Sequence, residues 1–405
     1  MHRRNFLTHL SILPTLSLID SLEANQEELK KNGKSTILLW MGGGPSTMDI
    51  WDLKPGAPTG GPFRPISTSG DVQICEHMPL MAKQMHNMSI IRSMSTSEAD
   101  HSRGRYYMHT GYKPNPTMEH PSYGSVVSSQ LKREELTIPQ FISVGGSSIG
   151  PGFLGVKHAP FVVNSDGRIK NLNIKVDNRF FQRAYALDVL ENNFINQNRG
   201  SVAKDHRDVL RQAFDVLTSE KMEALKVSNE PNGVLERYGN NGFGKGCLMA
   251  RRLVEAGVPF IEVNLGGWDN HQNIFPTLKD TKLPMLDKGM SALVEDLEQR
   301  GLLEDTAIVW MGEFSRTPRI NGNSGRDHWA RSWSTVVGGA GIKGGISVGN
   351  TSEDGRRVET EPYSSQDLMA SICKSLGISL NTTFTSKTGR PMKIANSGKI
   401  IEELF

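Results

Sequence analysis

Short apolar runs recur along the chain. STILLWM (35–41), NMSIIRSM (87–94), QFISVGG (140–146), FIEVNLGG (260–267), TAIVWMGE (306–313) and STVVGGAG (334–341) are each nearly continuous in hydrophobic character. Such runs predict strands buried on both faces rather than strands with one wet side. Between them lie stretches with helical spacing. Residues 284–302 put Leu286, Met290, Leu293 and Leu297 on one face and stop at Gly301. Residues 242–258 end the same way at Gly257, and residues 364–377 open on a serine cap and close on a glycine. Buried strands alternating with helices predict an α/β fold, an α/β/α sandwich around a mostly parallel central sheet. Residues 178–240 break the alternation with two or three consecutive helices. They read as a helical insertion within a single domain spanning 35–405.

Composition narrows the class. Lys and Arg number 46 against 43 Asp and Glu, a net charge of +3, which argues against a dedicated nucleic-acid binder with a concentrated basic face. The three cysteines, Cys75, Cys247 and Cys373, are far apart and lack CxxC spacing, so they predict buried small hydrophobes rather than a disulfide framework. The first residues, MHRRNFLTHLSILPTLSLI, pair Arg3 with Arg4 ahead of Phe6, Leu7 and a moderately apolar stretch. Residues 1–24 therefore look like a twin-arginine export signal, followed by a polar linker at 25–34. An amphipathic first helix retained on the protein is the alternative. His9, Ser11, Pro14 and Ser17 interrupt the stretch, and no run of about 18 apolar residues occurs elsewhere, so no transmembrane segment beyond the signal is expected. The expected location is periplasmic or extracellular.

Ligands of open parallel sheets sit beyond the carboxyl ends of the strands. Here the predicted strands end in turns rich in glycine and ionisable groups. Ser46, Asp49 and Asp52 follow the first; Asp100, His101, Ser102, Arg103 and Arg105 follow the second. GGWDNH brings Asp269 and His271, WMGEFSR brings Glu313 and Arg316, and GRDHWAR brings Asp327, His328 and Arg331. In an extended turn residues i and i+2 point the same way, which sets the Asp269 carboxylate beside the His271 imidazole. That pair suits a divalent metal, and Asp327 with His328 offers its completion. The same pair also fits a plain turn, with Asp269 capping it and His271 bonding a backbone carbonyl. Glu313 and Arg316 fit either a simple ion pair or a ligand beside an anion clamp. Arginines 103, 105 and 316 have the forked donors that grip phosphate or sulfate. GGGPS (42–46) matches neither GxGxxG nor a P-loop, so nucleotide binding is not indicated. Trp51, Trp268, Trp310 and Trp329 flank these motifs and read first as core, second as surfaces for stacking a sugar.

The motifs GGGPSTMDIWDLKP, DHSRGRYYMHTG, GGWDNH, GEFSRTPRIN, GRDHW and GGAGIKGG resemble those of the "domain of unknown function 1501" family, over roughly residues 36–405. That family is grouped with the alkaline phosphatase and sulfatase superfamily of metal-dependent hydrolases. The resemblance implies the same sandwich and an exported hydrolase of sulfate or phosphate esters. Its cofactor would be a divalent metal such as zinc, calcium or manganese. Its substrate would be an anionic ester, including sulfated or phosphorylated saccharides. Asp269 and His271 fall where the superfamily binds one metal, and His328 suits the late histidine of that site. Glu313 falls in the column of a second-metal Asp, with Phe314 where a His is expected. Counting back from Thr110–Gly111 puts Arg105 on the signature arginine and His101 on the nucleophile, with Ser102 as its substitute. Gly42–Gly44 replaces the acidic residue after the first strand unless Asp49 or Asp52 reaches back. The expected metal ligands are Asp269, His271, Glu313, Asp327, His328 and Asp49; the expected catalytic groups are His101, Ser102, Arg105 and Arg316. A non-catalytic cell-envelope binding protein with a partial metal site is the alternative, and a purely structural protein the third.

Overall fold

The computed structural model describes residues 33–131, 133, 136–169, 177–196 and 201–405. The expected export signal, and the linker up to residue 32, lie outside the described residues. Eight strands form one sheet: β1 (Ser35–Trp40), β2 (Met88–Met94), β3 (Phe141–Val144), β4 (Phe161–Val163), β5 (Phe260–Asn264), β6 (Thr306–Met311), β7 (Trp333–Gly338) and β8 (Ser347–Val348). Their spatial order is β8-β2-β7-β6-β1-β5-β3-β4. β1 pairs in parallel with β5 and β6, while β7 pairs antiparallel with both β6 and β2. β7 is thus the single reversed strand of a mostly parallel sheet.

Side-chain alternation divides the sheet between two cores. Ile37 and Leu39 of β1 join Ile261, Val263, Ile308 and Trp310 on one face. Leu38 and Trp40 join Phe260, Ala307, Val309 and Met311 on the other. Burial of alternate residues on both faces is why these runs read as continuous apolar sequence rather than as alternation. The first face is covered by helices α5 (Gly242–Glu255) and α6 (Leu283–Gln299), through Leu248, Leu253, Leu286, Met290, Leu293 and Leu297. The second is covered by α1 (His101–Thr110), α2 (Tyr123–Gln130) and α7 (Ser365–Ser375). The expected serine cap starts α7, and Ser364 and Asp367 complete it as a capping box. The result is helix, sheet, helix.

Helices α3 (Asn178–Asn196) and α4 (Ser201–Thr218) pack on each other, and short helical turns continue to Tyr238. The groove between them, about 770 Å³, is lined by Phe180, Phe181, Ala184, Leu210 and Phe214 among others, and shares no residue with the site described below. No described helix is long and apolar enough to cross a membrane. The three cysteines are free and buried.

The chain positions α1 with care. Its cap, Asp100, accepts from the Arg103 amide at 3.0 Å. Near its end His109 Nε2 lies 3.4 Å from Glu262 Oε2, a fully buried carboxylate on β5. At its start Gly104 faces the turn after β6: a Cβ there would lie 3.0 Å from the Phe314 ring and 3.2 Å from Glu313 Cβ. The missing side chain brings the first turn of α1, and with it His101, against that turn.

Candidate metal centre

Four loops meet at the carboxyl ends of β1, β2, β5 and β6. The loop after β1 supplies backbone: Gly43 has φ +111°, and a Cβ there would stand 2.7 Å from the Asp269 amide nitrogen. No L side chain fits, so the acidic residue missing after β1 has no room here. β5 leads to Asp269 and His271, β6 to Glu313 and Arg316. His328 and Trp329 pair antiparallel with Arg316 and Ser315, which fixes the late histidine over the same spot.

Three imidazoles converge on one carboxylate oxygen. Asp269 Oδ1 lies 2.9 Å from His271 Nε2, 3.3 Å from His101 Nε2 and 3.4 Å from His328 Nε2. His271 Nε2 and His328 Nε2 are 3.2 Å apart. The ligand atoms of His101, Asp269 and His328 all lie within 4.8 Å of one another. Each ring is held from behind through Nδ1. His101 Nδ1 donates to Glu313 Oε1 at 2.7 Å, His271 Nδ1 to Asp327 Oδ1 at 2.7 Å, and His328 Nδ1 to the Ala99 carbonyl at 2.9 Å. With Nδ1 protonated on an oxygen acceptor, Nε2 of the neutral ring carries the lone pair. His101 Nε2 is buried and makes no hydrogen bond despite the nearby carboxylate.

These donors fit a metal. Ligands at about 2.0–2.1 Å in a tetrahedron sit roughly 3.3 Å apart along its edges, close to the four separations given above; His101, Asp269 and His328 form the mutually close group, and His271 stands at its edge beside Asp269 and His328. Three imidazoles and a carboxylate are a common set for zinc and its neighbours, and the outer acceptors are the customary means of orienting such rings. Asp269 and His271 are about half exposed, so the group is open on one side.

Electrostatics follow the geometry. The Glu313 hydrogen bond raises the His101 pKa, against partial burial and with help from Asp269. Burial pushes the Asp269 carboxyl up, but the Arg316 guanidinium and the nearby imidazoles outweigh it and hold it down to about 2. Asp327 is held low by its bond from His271, aided by Asn321.

The remaining expectations divide. Glu313 stands behind His101, and its Oε1 also accepts from the Gly43 amide at 2.9 Å; it is not at the convergence point. Asp327 likewise stands behind His271. Asp49 is a correction: its carboxylate is buried and doubly paired with Arg326 at 2.8 and 2.9 Å, with Ser46 adding a third bond at 2.6 Å. A carboxylate so engaged is not free for a metal. Asp52 pairs with Lys54 at 3.0 Å. Arg316 is a second correction. It is buried and its donors meet the Gly43 and Gly44 carbonyls and Asp269, so it is not free to grip an anion from solvent. Arg105 donates to the Ser147 carbonyl, Arg103 pairs with Glu98 at 2.6 Å, and Ser102 is exposed beside His101. Trp51, Trp268 and Trp310 are core residues.

Sequence reasoning missed Asn321, whose amide donates to the His271 carbonyl at 2.9 Å and to Asp327 at 3.2 Å. It also missed the Ala99 carbonyl. Neither carries a residue-type signal; a backbone oxygen never does.

A model of one protein family, described as Protein of unknown function (DUF1501), matches residues 33–405. The chain belongs to that family. A search of curated proteins returns no match. Among solved structures the DUF1501 chain is similar to a sulfatase from Pseudoalteromonas sp. (13% identity, TM-score 0.41, covering 90% of this chain and 72% of that one). It is similar also to an alkaline phosphatase from the Antarctic bacterium TAB5 (14%, 0.35, 78% and 94%). A third is the lipoteichoic acid synthase LtaP from Listeria monocytogenes (10%, 0.34, 88% and 78%).

Proposed function

We propose that the protein is an exported metal-dependent hydrolase of sulfate or phosphate esters. One observation carries the reading: three imidazoles, each pinned through Nδ1, turn Nε2 toward Asp269 Oδ1. His101, Asp269, His271 and His328 would hold a divalent cation, which would supply Lewis acidity to an ester oxygen. Glu313, Asp327 and the Ala99 carbonyl keep each ring in the tautomer and orientation that ligation needs. Ser102 offers an exposed hydroxyl next to His101, and Arg105 a guanidinium one turn along α1. Glu313 Oε2 is buried without a partner, which leaves an acceptor close behind the centre. The export part rests on the Arg3–Arg4 start and is tested by cell fractionation of the full chain.

Elemental analysis of gently purified protein, followed by a screen of aryl sulfates and aryl phosphates with zinc, manganese and calcium, tests the rest. Bound metal that disappears in His271→Ala, with turnover of either ester class, is the expected result. Metal-free protein unchanged by His271→Ala would sink it. A non-catalytic binding protein is the second reading. It is favoured by His101, which stands at the nucleophile's place in the resemblance but faces the ligand group; bound metal with no turnover would select it.

A further inference from the structure

We propose that the Arg316 guanidinium fills the place of a second cation at this centre, so that the protein holds one divalent metal and never two. The inference rests on the metal reading above and concerns what stands beside that metal. Arg316 is fully buried, yet its charge points at the centre rather than away from it. Nε donates to the Gly44 carbonyl at 2.7 Å, and Nη2 donates to the Gly43 carbonyl. Nη2 also lies 2.6 Å from Asp269 Oδ1, the oxygen on which the three imidazoles converge. Nη1 lies 3.4 Å from both the Arg326 carbonyl and His271 Nε2.

Two backbone carbonyls and a shared carboxylate are an oxygen set that suits a hard cation. The guanidinium already has it. Asp269 Oδ1 therefore bridges a fixed positive group and the imidazole group, as a ligand atom bridges the ions of a two-metal site about 3.5–4 Å apart. On the far side, among the described residues, Glu313 Oε2 is a buried acceptor without a partner, but its carboxylate is already committed through Oε1 to His101 and the Gly43 amide. Phe314 puts its ring 5.1 Å from that of His101 and 4.9 Å from that of His328, hydrocarbon where a further donor would be needed. Gly43, which cannot carry a side chain against the Asp269 backbone, removes the other natural source. A guanidinium differs from an ion in that no chelator removes it.

Zinc titration of the chelator-treated full chain by calorimetry, with elemental counting, decides the matter. One equivalent is expected in the wild type. Two equivalents would overturn the inference; none would bring down the metal reading itself, a distinguishable failure. Removing a unit charge this close should tighten zinc binding by at least about tenfold in Arg316→Met. Arg316→Lys, which keeps the charge, should stay near the wild-type affinity with one equivalent. Folded Arg316→Met that binds zinc no more tightly would also overturn it. Should that variant fail to fold, the wild-type count and Arg316→Lys still decide.

Discussion

Glu313 governs His101 from behind, and that pair is open to direct measurement. Its hydrogen bond raises the imidazole pKa, so Glu313→Gln should lower it, read by NMR on metal-free protein. The sign for stability follows. A raised folded pKa gives stability that is fully present below the unfolded value of about 6.5 and is lost as pH rises through the higher folded value. The variant should therefore lose most against wild type in acid, with the gap closing toward alkaline pH, as followed by urea unfolding across pH. Asp269 behaves oppositely: its stabilising share is present above the ordinary carboxyl value of about 3.9 and fades as pH falls toward about 2. At this scale the nearness of Asp269, His271 and His328 was legible, because i and i+2 side chains in an extended turn face one way and a second Asp-His followed another strand. Asp49 was not, because its partner, Arg326, lies 277 positions away and nothing local announces it. Arg316 looked like an anion clamp because residue type does not reveal burial.

Among the elements, α1 is the one whose placement the centre depends on. Gly104→Val would press a branched side chain into Phe314 and Glu313 Cβ, displacing the first turn. Overpacking of this kind costs about 1–3 kcal/mol. The expected outcome is weaker zinc binding with helix content retained, by calorimetry and circular dichroism together. α1 was also the element least legible in sequence. DHSRGRYYMHT reads as polar, since the helix buries Gly104, Tyr107, Met108, His109 and Thr110 rather than an aliphatic stripe. The central strands were legible because both of their faces are covered. The three-residue β4 and two-residue β8 were too short to register, and the reversed direction of β7 is set by pairing rather than by residue type.

For the molecule as a whole, the Asp49–Arg326 pair joins the loop after the first strand to the segment carrying His328. Asp49→Ala should leave a buried guanidinium unpaired and cost about 3–5 kcal/mol, while the zinc count stays unchanged. Denaturant unfolding and metal analysis of the same preparation check both halves; a lost equivalent would restore Asp49 as a ligand. The broad architecture was legible from the alternation of buried runs and helices, whereas the meeting of distant loops was only inferable from where the strands end.

The imidazoles are braced by oxygens of the protein, not by whatever they hold. If the centre binds a cation as proposed, stripping it should leave an emptied cradle that keeps its shape, and the half-open rim lets the bath reach it. Occupancy becomes a reversible matter of supply, independent of refolding.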